Sequence, residues 1–250
     1  MRTIAIANHK GGVGKTTSVA SIGTALARKG YRVLLVDLDA QANLTASLSK
    51  QEHEASVYDV LKGNTETLPV IQIQQNLSLL PSSLDMAGIE LEISSQVSRE
   101  YLLKDALELV AKDYDFCLLD CPPSLGLVTI NALVSATDLF ITLTAEALPS
   151  KGLAMLQKIV EQVKKRLNPS LVLSGVLITR WESSNLSKIV EEQLRGTFGD
   201  VVFNTRIRKN VSLAEAPLFS RDIFTHAPQS NGAKDYEAIA EEILQRTERN

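Results

Sequence analysis

The sequence predicts an α/β fold: a doubly wound, mostly parallel sheet flanked by helices. Three observations predict it. Short apolar runs rich in β-branched residues alternate with helix-patterned segments along the chain, the βαβα order that builds such sheets. Several of these runs are apolar on both faces, as parallel strands covered by helices must be. The first run ends in a glycine-rich turn that opens a helix, and in open α/β sheets ligands sit at that end of the strands.

Residues 3–7 read as the first strand. Residues 16–29 read as a helix that stops at Gly30, with Arg28 and Lys29 placed to meet its C-terminal dipole. Residues 32–37 form a second apolar strand, and residues 76–80 a short third one closed by Pro81. A helix is expected over 101–111, then strands over 116–120, 139–143 and 171–178. Helices over 152–167, 185–198 and 233–246 complete the pattern. No repeat, low-complexity tract or long linker divides the chain, so a single domain spanning 1–250 is expected.

Composition bounds the function. The 250 residues are 44% hydrophobic and 22% charged, ordinary values that argue against disorder, collagen and coiled coil. Lys and Arg number 26 against 29 Asp and Glu, a net charge of −3, so any nucleic-acid contact needs a local patch rather than bulk charge. Residues 1–15 hold no uninterrupted apolar run of the secretory kind, and the long uncharged stretch 121–137 contains Pro122 and Pro123 and is no membrane span. Cys117 and Cys121 fall on or beside one strand and read as buried, inert thiols of a reduced, cytosolic chain. His9, His53 and His226 show no metal-ligand spacing.

The strongest signal is the run Lys10, Gly11, Gly12, Val13, Gly14, Lys15, Thr16, Thr17 between a strand and a helix. The usual phosphate-loop pattern puts its first glycine at position 9, where this chain has His9, so the loop is a variant. Glycines let successive backbone N–H groups turn inward around phosphate oxygens, and the helix N-terminus adds positive potential. Lys15 is then placed for the β- and γ-phosphates and the Thr16 hydroxyl for Mg²⁺. Two acids at strand tips, Asp37 and Asp120, and Asp39 two residues after the first of these, suit catalytic or metal roles.

These segments resemble a known family. Residues 10–17 look like the deviant Walker A motif of the ParA/MinD ATPases, 36–41 (Val-Asp-Leu-Asp-Ala-Gln) like their Walker A′ motif, and 118–123 (Leu-Leu-Asp-Cys-Pro-Pro) like Walker B. Residues 210–217 and 225–228 resemble C-terminal motifs of the ParA/Soj partitioning branch, so the likeness runs over nearly the whole chain. It implies a P-loop NTPase-like fold with ATP and Mg²⁺ as ligands. Lys10 becomes the signature lysine that crosses a dimer interface to the partner's phosphates. Lys15 and the backbone of residues 11–17 hold ATP. Thr16, Asp37 and Asp120 serve the metal, and Asp39 positions or deprotonates the attacking water. In relatives an Ile-Pro-Arg-Asn segment helps form the adenine pocket. Here it reads Ile207, Arg208, Lys209, Asn210, which makes Arg208 and Asn210 candidate nucleotide contacts and replaces the proline.

Partners follow from the same resemblance: an ATP-dependent homodimer, non-specific DNA, a ParB-like adaptor and a nucleoid-associated place in the cytoplasm. Arg195, Arg206, Arg208, Lys209 and Arg221 face only Asp200 and Glu215 within residues 195–221, a local +3 that reads either as a solvated surface or as a phosphate contact. The arginine many relatives carry before Thr-Asn-Leu is missing, since residues 183–186 read Ser-Ser-Asn-Leu. The first strand starts by Thr3, which leaves no room for the helix-turn-helix of repressor members. The C-terminal helix is amphipathic but rich in Glu, so anionic lipid would repel it, and packing on the domain is expected rather than membrane binding. Trp181 reads as a lining of the nucleotide pocket or as a packing residue. A different class of function also fits: an ATP-gated regulatory module, like the MinD positioning switch, that keeps the nucleotide site without a DNA cycle.

Overall fold

The computed structural model describes residues 1–146 and 151–248. In chain order its elements are β1 (Arg2–Ala7), α1 (Lys15–Arg28), β2 (Val33–Asp37), α2 (Asn43–Leu48), α3 (Val57–Lys62), β3 (Ile71–Gln74), β4 (Leu77–Leu80), α4 (Ile89–Glu92) and α5 (Leu102–Glu108). They continue with β5 (Phe116–Asp120), α6 (Leu127–Ser135), β6 (Asp138–Thr144), α7 (Lys151–Arg166), β7 (Val172–Thr179), α8 (Asn185–Phe198), α9 (Ser212–Glu215), α10 (Ile223–His226) and α11 (Asn231–Glu248).

Among the described residues, seven strands form one sheet in the order β3-β4-β2-β5-β1-β6-β7. Every pairing is parallel except β3 with β4, a hairpin whose turn places Asn76 at φ +63°. The doubly wound, mostly parallel α/β fold is therefore as expected, with one antiparallel edge added. Residues alternate between the two faces, as the strand period requires. Ile4, Ile6, Leu35, Leu118 and Phe140 pack under α1 and α11, whereas Ala5, Leu34, Val36 and Leu119 pack under α5, α6, α7 and α8.

The six expected strands are all present within a residue or two. Of the expected helices, 185–198 is matched by Asn185–Phe198, where the Ser184 hydroxyl accepts from the Ser187 N–H at the N-terminus. Gly30, at φ +94°, ends α1 after Arg28 and Lys29. Gly23 lets α1 lie on β2, because a methyl at that position would meet the side chain of Leu35. Residues 249 and 250 of the C-terminal segment lie outside the described residues.

Strand order places the chemistry. β2, β5 and β1 are neighbours, so the tips of β2 and β5 and the loop after β1 open side by side. Asp37 and Asp120 are direct partners in the β2–β5 register, and Asp120 also faces Ile6 of β1.

Candidate functional site

The loop from Asn8 to Gly14 joins β1 to α1. Gly12 and Gly14 take φ +71° and +85°, left-handed angles that side-chain-bearing residues rarely adopt. Gly11 and Gly12 have no neighbour within 4 Å of a Cβ, so the loop curls around open space. Gly14 at the N-cap of α1 offers no side chain to the first-turn N–H groups, which leaves these donors for an anion. Asn8 anchors the loop start: its amide donates to the Thr142 carbonyl at 2.6 Å, and its oxygen accepts from the Lys10 N–H at 3.0 Å. The Thr179 hydroxyl donates to the Val13 carbonyl at 3.0 Å, tying the loop to the end of β7. His9 Nδ1 lies 2.9 Å from the Pro123 carbonyl, which links the loop to the segment after β5.

The two lysines differ. Lys15 is buried, with its Nζ 3.4 Å from the Lys10 carbonyl, so its charge is held inside the loop. Lys10 is exposed on the rim and its side chain makes no ion pair with the described residues.

The three acids differ as well. Asp37 is fully buried and accepts from the Thr45 N–H and hydroxyl, both at 2.8 Å, and from the Asp39 N–H at 3.2 Å. Burial nevertheless pushes its pKa up to about 6, against the opposing pull of these donors. Asp120 is also buried, and neither of its oxygens has a hydrogen-bond partner among the described residues. Burial and the neighbouring Asp37 raise its pKa well above the usual carboxylate range, while the nearby Thr16 hydroxyl and Lys15 ammonium act the other way. Asp39 is partly exposed; its Oδ1 accepts from the Gln41 N–H at 3.0 Å, and its carbonyl accepts from the Ser82 hydroxyl at 2.8 Å.

An orphaned buried carboxylate beside a threonine hydroxyl fits a magnesium ion, which takes one or two protein ligands and completes its shell with water and phosphate oxygens. Among the described residues no cluster of three or more His, Cys, Asp or Glu forms a fuller protein-only cage.

A cavity of about 550 Å³ extends from the loop. Gly11, Lys15, Thr16, Thr17 and Asp39 line it, together with Leu213, Pro217 and Arg221. Its size and mixed lining suit a nucleotide. Arg208 and Asn210 lie outside this lining. Arg208 pairs with Asp235 at 2.6 Å, and the Asn210 Oδ1 is buried without a partner among the described residues. Trp181 packs against the core with Arg206 5.0 Å over its ring, and its buried indole N–H also lacks a partner among the described residues.

The structure disperses the local +3 of residues 195–221. Arg195 and Arg206 share the buried Glu191 at 2.9 and 2.6 Å, and Lys209 reaches Glu182 at 3.1 Å. Counting Glu182, Glu191 and Asp235 with Asp200 and Glu215 sets five acids against the five bases. Arg221 alone of the five has no ion-pair partner among the described residues, and it faces the cavity.

Several participants carried no sequence signal. Thr45 and Ser82 reach the acids only through the fold, and Asn8 and Thr179 fix the loop from strand ends. Both cysteines are buried, and burial pushes both thiols up.

Comparison with known proteins supplies the family. A family model described as an AAA domain matches residues 1–173. Soj of Bacillus subtilis, called a sporulation initiation inhibitor protein, is 42% identical over 247 residues, covering 97% of this chain and 98% of that one. The chain belongs to the ParA/Soj family. ParA of Caulobacter vibrioides, a chromosome partitioning protein, is 37% identical over 253 residues, covering 98% of this chain and 95% of the relative. Among solved structures, a Mycobacterium smegmatis protein described as cobyrinic acid a,c-diamide synthase, with a bound ATP analogue and magnesium, matches at TM-score 0.87 and 35% identity over 99% of this chain and 96% of that one. The match to ParA/Soj relatives spans the phosphate loop, both strand-tip acids and the cavity wall. Among the described residues no helix is long and apolar enough to cross a membrane.

Proposed function

We propose that this ParA/Soj-family chain is an ATP-hydrolysing partition protein, acting as a single domain in the cytoplasm on the nucleoid. The observation that carries the reading is the joint presence of an open glycine loop with uncapped helix N–H groups and a buried Asp120, beside Thr16 and unpartnered among the described residues. Backbone N–H groups of residues 11–17 and the Lys15 ammonium hold the ATP phosphates. Thr16 and Asp120 hold Mg²⁺, whose charge offsets that of the β- and γ-phosphates when bound. Asp37 supports this metal site by fixing the start of α2 through Thr45.

Asp39 lines the cavity beside the phosphate-loop residues and orients a water. The water oxygen bonds to the γ-phosphorus as the bond to the bridging oxygen breaks, and ADP and phosphate leave. Lys10, on the rim, pairs with phosphate of a second copy and closes an ATP-dependent homodimer. Asn210 and Arg208 border the adenine. The dimer binds DNA without sequence preference through Arg195, Arg206, Arg208, Lys209 and Arg221, and a ParB-like adaptor stimulates turnover.

A second reading is favoured by one observation: four of those five cations are paired with acids of the chain itself. An ATP-gated regulator without a DNA cycle needs no such surface.

Lys15→Ala tests the nucleotide assignment. The variant is expected to lose hydrolysis and most of its ATP affinity in a phosphate-release assay and a titration with a fluorescent ATP analogue. Turnover at the wild-type rate would remove Lys15, and with it the phosphate-loop reading.

A further inference from the structure

β4 delivers to the acid segment of the site one residue that no motif assignment uses. β4 runs parallel to β2, with Leu80 opposite Val36. Ser82 follows two residues later and is buried. Its hydroxyl donates to the Asp39 carbonyl at 2.8 Å, and its N–H donates to the Thr45 hydroxyl at 3.0 Å. The Thr45 hydroxyl in turn donates to Asp37 at 2.8 Å. One residue from the neighbouring strand thus reaches both the link from β2 to α2 and the helix that follows it.

That link, residues 38–42, lies outside strand and helix, so regular backbone pairing does not fix it. It closes on itself in a turn. The Asp39 carbonyl accepts from the Ala42 N–H at 2.9 Å, and Ala42 takes φ +50°, an angle uncommon for a residue with a side chain. The Asp39 carboxylate has one hydrogen bond among the described residues, from the Gln41 N–H of the same turn at 3.0 Å. The aim of the carboxylate therefore follows the backbone of the turn. Among the described residues, the Ser82 hydroxyl is the one side-chain group from outside residues 37–45 that hydrogen-bonds to residues 38–42. Placement of this kind matters to a rate, because a shift of about 1 Å in a catalytic group can cost about 100-fold.

We propose that Ser82 is a positioning residue for hydrolysis: its hydroxyl holds the Asp39 backbone so that the carboxylate meets the attacking water. The proposal rests on the reading of Asp39 as the group that orients this water. Ser82 is absent from the lining of the cavity, so its work is on Asp39 and not on the nucleotide.

Ser82→Ala isolates the hydroxyl. The backbone N–H contact to Thr45 stays, and the Asp39 carbonyl keeps the Ala42 N–H, so no buried group is orphaned. The experiment compares full-length wild type, Ser82→Ala, Asp39→Ala and the double variant. It reads phosphate release over a range of Mg-ATP, affinity for a fluorescent ATP analogue, and melting temperature. Ser82→Ala is expected to lower kcat about two- to tenfold, the worth of one ordinary hydrogen bond. KM and analogue affinity should stay within about twofold, because only the reacting arrangement is disturbed. In the Asp39→Ala background the same substitution should cost nothing further, since the group it positions is gone. Ser82→Cys keeps a side chain of similar shape but donates weakly, and should fall with Ser82→Ala.

A purely structural role would lower the melting temperature and multiply with Asp39→Ala instead. Losses that multiply in the double variant overturn the proposal. So does a Ser82→Ala variant that turns over like wild type while Asp39→Ala is slow, one whose loss is in KM and affinity, or a Ser82→Cys variant as fast as wild type. Each of these outcomes leaves the role of Asp39 standing. Asp39→Ala with wild-type turnover removes that role, and the proposal with it.

Discussion

The carboxylate of Asp37 accepts both the backbone N–H and the hydroxyl of Thr45, each at 2.8 Å, whereas its register partner Asp120 accepts from no donor among the described residues. Two acids that look equivalent in the sequence thus have different work. Asp37 is occupied in holding the start of α2. Asp120 keeps both oxygens available, at the cost of burying them.

Asp120→Asn is therefore expected to weaken the Mg²⁺ dependence of ATP binding strongly while leaving the fold as stable as wild type or more so, since a buried unpaired carboxyl is removed. Thr45→Val should instead cost about 1–3 kcal/mol of stability, because it strips a donor from a buried acid. Thermal melts and Mg²⁺ titrations of ATP binding separate the two. Equal effects of both variants on Mg²⁺ affinity would contradict the division of roles.

The same pair makes stability depend on pH. Burial holds the folded Asp37 at about 6, above the ordinary 3.8, and raises Asp120 too, so between these values the folded chain binds more protons than the unfolded one. Stability of the nucleotide-free protein gained from this pair is present below about pH 4 and is lost as pH rises towards 6, by up to ~3 kcal/mol for Asp37. Asp138 has the opposite sign: burial pushes it up, but Arg2, Ser174 and Thr137 outweigh burial and hold it low, so its contribution is lost as pH falls below about 4. Urea unfolding from pH 4 to 7 should show a less negative slope against pH in Asp120→Asn than in wild type. Identical slopes would show that the pair is not coupled to folding.

Asp39 lines the cavity, and its carboxylate accepts a hydrogen bond from the Gln41 N–H. Asp39→Ala is expected to bind ATP with near wild-type affinity, to turn over at least about 100-fold more slowly, as loss of a general base allows, and to accumulate as a dimer on size exclusion in Mg-ATP. A variant saturated with ATP yet monomeric would exclude a role confined to water.

Lys10 stands on the rim with a backbone N–H fixed by Asn8 and a side chain free of ion pairs with the described residues. Lys10→Ala should bind ATP as a monomer and fail to dimerise in equilibrium sedimentation. A dimer as stable as wild type would place the cross-subunit contact elsewhere.

The phosphate loop was legible because its chemistry is local: glycines at φ +71° and +85° and a lysine at the helix start must be adjacent in sequence. β2 and β5 were legible for a similar reason, being apolar on both faces up to a terminal acid. α6 was missed because it is largely buried and nearly uniformly apolar, so no helical stripe marks it. β3 was missed because Ile-Gln-Ile-Gln is short and half exposed at the sheet edge. How the bases of residues 195–221 are paired was not legible, because Glu191, Glu182 and Asp235 reach that segment from α8 and its approach and from α11. No local count includes them.

The central claim is that ATP, and not ADP, closes this chain into a DNA-binding dimer. The direct measurement is light scattering of the protein with Mg-ATP or Mg-ADP, run alone and with plasmid DNA at moderate salt, where nucleotide-independent contacts are screened. The account predicts a doubled mass and DNA binding with Mg-ATP, and a monomer free of DNA with Mg-ADP. The same mass and the same DNA binding in both nucleotides would contradict it.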